Sequence, residues 1–154
     1  MIKKATPRGG RRRKPTFLTV DAIIALHAES IAAFGGETGI RDAGGLESAI
    51  TRCRTRWEYE PNSTIAELAG AVGFGLAMNH PFVDGNKRIA LIAVVTFLDL
   101  NGHELSASEI EAYATFLGVA AGKVSEAALA AWITSNSAPA RGGPGPRPPI
   151  ICVM

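Results

Sequence analysis

Apolar residues recur at helical spacing through most of the middle of this chain. Val20, Ile23, Ile24, His27, Ile31 and Phe34 share one face, which predicts a helix from about Thr19 to Phe34, stopped at Gly35-Gly36. The glycines between Glu37 and Gly45 read as a loop. A second helix begins near Gly44 or Gly45, carries Leu46, Ala49, Ile50 and Cys53 on one side, and ends around Arg56 or Trp57. Trp57 to Asn62 has aromatic and Pro-Asn character and reads as a short extended flap or a plain loop. Thr64-Ile65-Ala66-Glu67 is a capping-box pattern that opens a third helix, with Ile65, Leu68, Ala69, Val72, Leu76 and Ala77 on one broad face.

Gly70, Gly73 and Gly75 fall inside that third helix, where each costs about 1 kcal/mol relative to alanine. Their presence points to close approach by neighbouring helices. The fourth helix, from the Asn86 region to about Leu100, is apolar nearly all round, as expected of a helix buried at the centre of a domain. Asn101-Gly102 ends it. Ser106 and Ser108 each precede a glutamate by three residues, so either can cap a fifth helix that reaches to about Ala121 and stops at Gly122. Ser125 starts a last helix through about Ser135.

The expected fold class is therefore all-α: a compact helical domain around a buried central helix, spanning residues 17–136. Two tails flank it. Residues 1–16 are a basic arm with no apolar period, and residues 137–154 are rich in Pro and Gly. Neither buries enough apolar surface to order itself, so both are expected to be disordered.

Composition agrees with one domain. The chain has 154 residues, 47% of them hydrophobic and 6% aromatic, so the core is expected to be aliphatic. A net charge of +2 is too small to argue for nucleic acid. Only the basic arm offers that reading, and a solvated extension accounts for it as well. Cys53 and Cys152 have no metal-like spacing, so no disulfide framework or zinc site is expected, and a reducing cytoplasm is the natural setting.

The N-terminus imitates a targeting signal. Arg11-Arg12-Arg13-Lys14 precedes an apolar stretch from Phe17 to Leu26, and Ala25-Leu26-His27-Ala28 loosely resembles a cleavage site. Asp21 interrupts the stretch, however, and the helical period continues through the would-be cut, so the segment reads as a soluble helix. Ile89 to Leu98 is the most apolar run and is far too short to span a bilayer. Cys152, third from the end, misses the prenylation pattern.

The chemistry concentrates between the third and fourth helices, in His80-Pro81-Phe82-Val83-Asp84-Gly85-Asn86-Lys87-Arg88. His80 can take a proton near neutral pH. Pro81 stops the helix before it. Phe82 can anchor the loop by burying its ring. Asp84 can hold a hard divalent cation. Gly85 allows close backbone approach, and Asn86 can cap the new helix or bind a phosphate oxygen. Lys87 and Arg88 sit in the first turn, where cations oppose the helix dipole by roughly 0.3–1 kcal/mol each unless an anion relieves them. Singly, these residues read as a helix cap, a turn and a solvated cation pair. Together, between two apolar helices, they fit phosphate chemistry.

This stretch resembles the signature of the Fic (filamentation-induced-by-cAMP) superfamily, His-x-Phe-x-Asp/Glu-Gly-Asn-Gly-Arg-x-x-Arg. It is more similar still to the death-on-curing (Doc) branch, where Lys replaces the second Gly, as Lys87 does here, and the last Arg is absent, as at Leu91. The likeness runs over about Phe17 to Ser135 and includes Gly35-Gly36, Gly39-Ile40-Arg41-Asp42 and Leu46-Glu47-Ser48-Ala49-Ile50. Pro81 and Gly85 follow the broader Fic pattern.

The resemblance implies a Fic/Doc-type helical domain and a nucleotide-dependent transferase using ATP and Mg²⁺. Most Fic proteins move AMP onto a target hydroxyl. Death-on-curing toxins act as kinases on a threonine of elongation factor Tu and halt translation. Carried over, His80 is the general base, Asp84 the Mg²⁺ ligand, Gly85, Asn86, Lys87 and Arg88 the phosphate cradle, and Phe82 the loop anchor. No internal inhibitory helix fits: Ser63 to Glu67 has the spacing, but Leu68 follows. An external antitoxin is the expected inhibitor, no membrane partner is expected, and AMP transfer or a non-catalytic DNA-binding role through the arm are the alternatives.

Overall fold

A computed structural model describes residues 13–140. The fold is all-α in class. Among the described residues the elements run α1 (Val20–Phe34), α2 (Ala43–Tyr59), α3 (Ile65–Asn79), α4 (Asn86–Leu100), β1 (His103–Leu105), α5 (Glu109–Ala120), α6 (Glu126–Ser135) and β2 (Ser137–Pro139).

Local capping sets most of the helix starts. The Thr19 side chain accepts from Ala22 N–H, Asp42 from Gly45, Ser108 from Glu111 and Ser125 from Ala128, and Thr64 with Glu67 closes a full capping box. Each such cap contributes about 1 kcal/mol. Ser108, rather than Ser106, caps α5. Ser106 instead binds the Asn136 carbonyl through both its N–H and its hydroxyl.

α2 and α3 run antiparallel. Asn79, at the end of α3, donates to the Gly45 carbonyl at the start of α2 (2.9 Å), while Arg56, near the end of α2, reaches Ser63 just before α3 (3.4 Å). The glycines of α3 each meet a different neighbour. A Cβ on Gly70 would lie 3.3 Å from Ala130 of α6; on Gly73, 2.5 Å from Val94 of α4; on Gly75, 2.9 Å from Ala49 of α2. Small residues on three sides let three helices close on α3. The apolar α4 was the expected centre, and its inner face is fully buried, but α3 shares that position because only its backbone can be approached so nearly from several directions.

Two features differ from the sequence reading. β1 and β2 form a short antiparallel ribbon, with Glu104 opposite Ala138, so regular structure continues past residue 136. Thr16 exchanges two hydrogen bonds with the Asn101 side chain (2.8 and 3.0 Å), which ties the end of the basic arm to the end of α4. The disorder expected of the tails falls otherwise on residues 1–12 and 141–154, outside the described residues. No helix among the described residues is long and apolar enough to cross a membrane.

Candidate active site

α3 ends at His80, which adopts left-handed geometry (φ 46°, ψ 57°), the only non-glycine among the described residues with positive φ. Pro81 follows and the chain turns into α4. Phe82 is buried to 1% exposure and anchors the turn. Asn86 commits both ends of its side-chain amide to Phe82: Oδ1 accepts from Phe82 N–H and Nδ2 donates to Phe82 C=O, each at 2.9 Å. That side chain therefore neither caps α4 nor faces a ligand. What Asn86 leaves available is its backbone N–H.

Asp84 lies at the exposed crest of the loop. Its Oδ2 accepts from Glu37 N–H (3.1 Å) and its Oδ1 from Gly85 N–H (2.8 Å). These two donors, aided by the Arg88 charge, hold its carboxyl below the usual aspartate range. It is ionised at neutral pH. Gly36 sits behind it with φ +119°, and a Cβ there would come within 2.8 Å of Asp84 Oδ2. The pairing needs glycine on both counts.

α4 starts without a side-chain cap. Its N-cap is Gly85, itself left-handed at φ 75°. Its first N–H groups and positive dipole end are thus left for an anion. The two cations beside it differ. Arg88 lies over the Phe34 ring (5.3 Å) and within 3.4 Å of Ser30 Oγ and the Gly35 carbonyl. Its charge rests against the C-terminal end of α1, which relieves the conflict with the α4 dipole that the sequence left open. Lys87 is half-buried and has no ion pair among the described residues.

A second segment closes over the loop. Ile40 and Phe82 form an antiparallel bridge, and Val83 N–H donates to Gly39 C=O (3.0 Å). The backbone N–H groups of Arg41 and Asp42 donate to the Pro81 carbonyl (2.7 and 3.0 Å). Arg41 also places its guanidinium on the last carbonyls of α3: Nε and Nη2 donate to His80 C=O and Nη2 to Asn79 C=O. The His80 Nδ1 is shielded from solvent with no hydrogen-bond partner. The extended element lies here, at residues 39–42, and not at Trp57–Asn62. There α2 continues to Tyr59 and a plain turn follows, because the helix simply runs on to the Glu60 cap.

His27 lies beneath the loop. Its ring stacks on Phe82 with centroids 3.8 Å apart and planes 7° from parallel, and Nε2 lies 2.8 Å from the Asp84 carbonyl. The sequence placed His27 only on a buried helical face. Its partners, like those of Arg41 and Ser30, are distant along the chain, and the only sequence signal near them was the Gly35-Gly36 and Gly39-Ile40-Arg41-Asp42 pattern.

Among the described residues no three His, Cys, Asp or Glu cluster as metal ligands. A single ionised Asp84 fits Mg²⁺, which keeps several waters and takes further oxygens from phosphate. An open groove of about 820 Å³ lies elsewhere, between α2, α3 and α6. Arg52 and Arg56 line it, and both already face Glu126. Lys87, which has no ion pair among the described residues, and the uncapped start of α4 lie at the loop.

A helical domain with this loop at the α3–α4 junction has a Fic-type site, and residues 17–98, more than half of the chain, match the Fic/DOC family model; the protein belongs to that family. It is 34% identical over 113 residues to "Protein kinase doc" of Escherichia phage P1, covering 73% of this chain and 89% of that protein. It is 45% identical over 83 residues to "Toxin Doc" of Mycolicibacterium smegmatis, covering 53% of this chain and 63% of that protein.

Proposed function

We propose that this protein is a Doc-like toxin that transfers the terminal phosphate of ATP to a protein hydroxyl. The target is a threonine of a translation factor such as elongation factor Tu, the outcome is translation arrest in the cytoplasm, and an antitoxin neutralises the protein. The observation that carries this reading is the juxtaposition of an ionised Asp84 with the uncapped start of α4 and with Lys87, which has no ion pair among the described residues.

In this mechanism the N–H groups at the start of α4 and the Lys87 ammonium hold the phosphates. Asp84 would hold Mg²⁺, which supplies neutralisation of phosphate charge. His80 accepts the proton of the target hydroxyl as that oxygen bonds to the terminal phosphorus. The bond from phosphorus to the bridging oxygen breaks, and ADP leaves. Arg41 keeps the His80 backbone in place. Phosphate transfer is favoured over AMP transfer because the position of the signature's final Arg is Leu91, which is fully buried in the core and offers no cation.

The test is intact-mass measurement of purified elongation factor Tu after incubation with the protein and Mg-ATP. A gain of one phosphate is expected, and it is expected to vanish with His80→Ala. A gain of one AMP would replace this reading with AMP transfer. No gain, combined with salt-sensitive DNA binding through the basic arm, would replace it with a non-catalytic role.

A further inference from the structure

We propose that His27 of α1 is a positioning residue that locks the Asp84–Gly85 peptide in the orientation the phosphate site requires. This rests on the function proposed above. His27 is 3% exposed, on a face it shares with buried Ile23, Ser30 and Ile31. A polar ring in that setting costs free energy unless it is bonded.

The bond it makes is specific. A carbonyl oxygen only accepts, so His27 Nε2 carries the proton donated to Asp84 C=O at 2.8 Å. The other end of the same peptide unit, Gly85 N–H, donates to Asp84 Oδ1 at 2.8 Å. The peptide plane is pinned at both ends. Glycine at 85, with φ 75°, would otherwise tolerate a peptide flip. A flip would turn the carbonyl toward the Asp84 carboxylate and toward any bound phosphate, replacing a donor with a second negative dipole. His27 forbids it. The parallel stack on Phe82 at 3.8 Å sets the height of the ring under the loop. Phenylalanine would supply the stack and glutamine the donor; histidine supplies both.

Three variants separate this role from simple packing: His27→Phe keeps an aromatic ring without a donor, His27→Gln keeps a donor without the ring, and His27→Met fills space with neither. Two quantities are read: amide hydrogen exchange at Gly85 in the unliganded protein, and the Mg²⁺ concentration giving half-maximal phosphate transfer. In His27→Phe, Gly85 exchange is expected to rise about tenfold and the Mg²⁺ requirement about tenfold or more. KM for the protein substrate is expected to stay unchanged. His27→Gln is expected to recover most of both values. Parental values in His27→Phe overturn the proposal, as does a His27→Gln variant no better than His27→Phe. His27→Met replaces His27→Phe in the comparison if the latter does not fold. If the parent protein transfers no phosphate, the function proposed above fails, and Gly85 exchange alone decides the role of His27.

Discussion

Asn86 and Phe82 form a closed loop of two hydrogen bonds across the turn, each 2.9 Å long, in which one side-chain amide satisfies both backbone groups of one residue. The turn that carries Asp84 therefore has its shape imposed from within, while His27 supports it from below and residues 39–42 flank it. Asn86→Ala is expected to remove about 1–3 kcal/mol of stability, because a buried backbone donor and acceptor lose their partner. Asn86→Asp keeps only the acceptor and should fall between the two. Urea denaturation, paired with the phosphate-transfer assay, checks both.

Asp84 links stability to pH. Its carboxyl is held below the ordinary range by the Glu37 and Gly85 N–H groups. A group with a depressed folded pKa contributes its stabilisation above the unfolded value, near pH 4, and loses it as pH falls through the lower folded value. The parent should therefore lose stability on acidification in that window, and Asp84→Asn should lose less. At neutral pH the same variant should fail to transfer phosphate. Thermal melts between pH 2.5 and 6 would show the first effect; equal slopes for both proteins would contradict it.

His80, the proposed general base, sits in a strained left-handed backbone conformation. A non-glycine residue in the left-handed region costs about 1 kcal/mol or more. His80→Gly should abolish transfer while leaving the fold as stable as the parent or about 1 kcal/mol more stable. A large loss of stability would mean that the imidazole, and not the backbone, is what holds the end of α3.

Arg41 acts on His80 through its carbonyl. Arg41→Ala should lower turnover about tenfold with little change in the KM for ATP, because the α4 start is untouched and only the proposed general base loses its hold. Arg41→Lys, a point charge without the planar fork, should recover part of the rate. A rise in KM for ATP with unchanged turnover would place Arg41 on the nucleotide instead.

Gly73 tests the packing of α3. Alanine there gains about 1 kcal/mol of helix propensity but drives a Cβ to 2.5 Å from Val94 Cγ2. Overpacking at about 1–3 kcal/mol outweighs that gain, so Gly73→Ala should be destabilised. Val94→Ala in the same chain should restore part of the loss if the clash with that side chain is the cause.

By itself, the sequence determined the helices and the position of the His80–Arg88 loop. Caps and helical periods act between residues three or four apart, so Thr19, Thr64, Ser125 and the Asn86 start could be read from neighbouring residues. The His80–Arg88 stretch was legible because its unusual residue types are consecutive. Tertiary structure alone decided how those residues are used. It turned the Asn86 amide inward, set Arg88 against α1, and brought His27 and Arg41 to the loop from positions 57 and 39 residues away. It also paired His103–Leu105 with Ser137–Pro139, a ribbon too short to carry a strand period. The physical reason is common to all of these. Each contact joins groups far apart along the chain, and their meeting depends on which helices close on α3, which its glycines permit but no local pattern specifies.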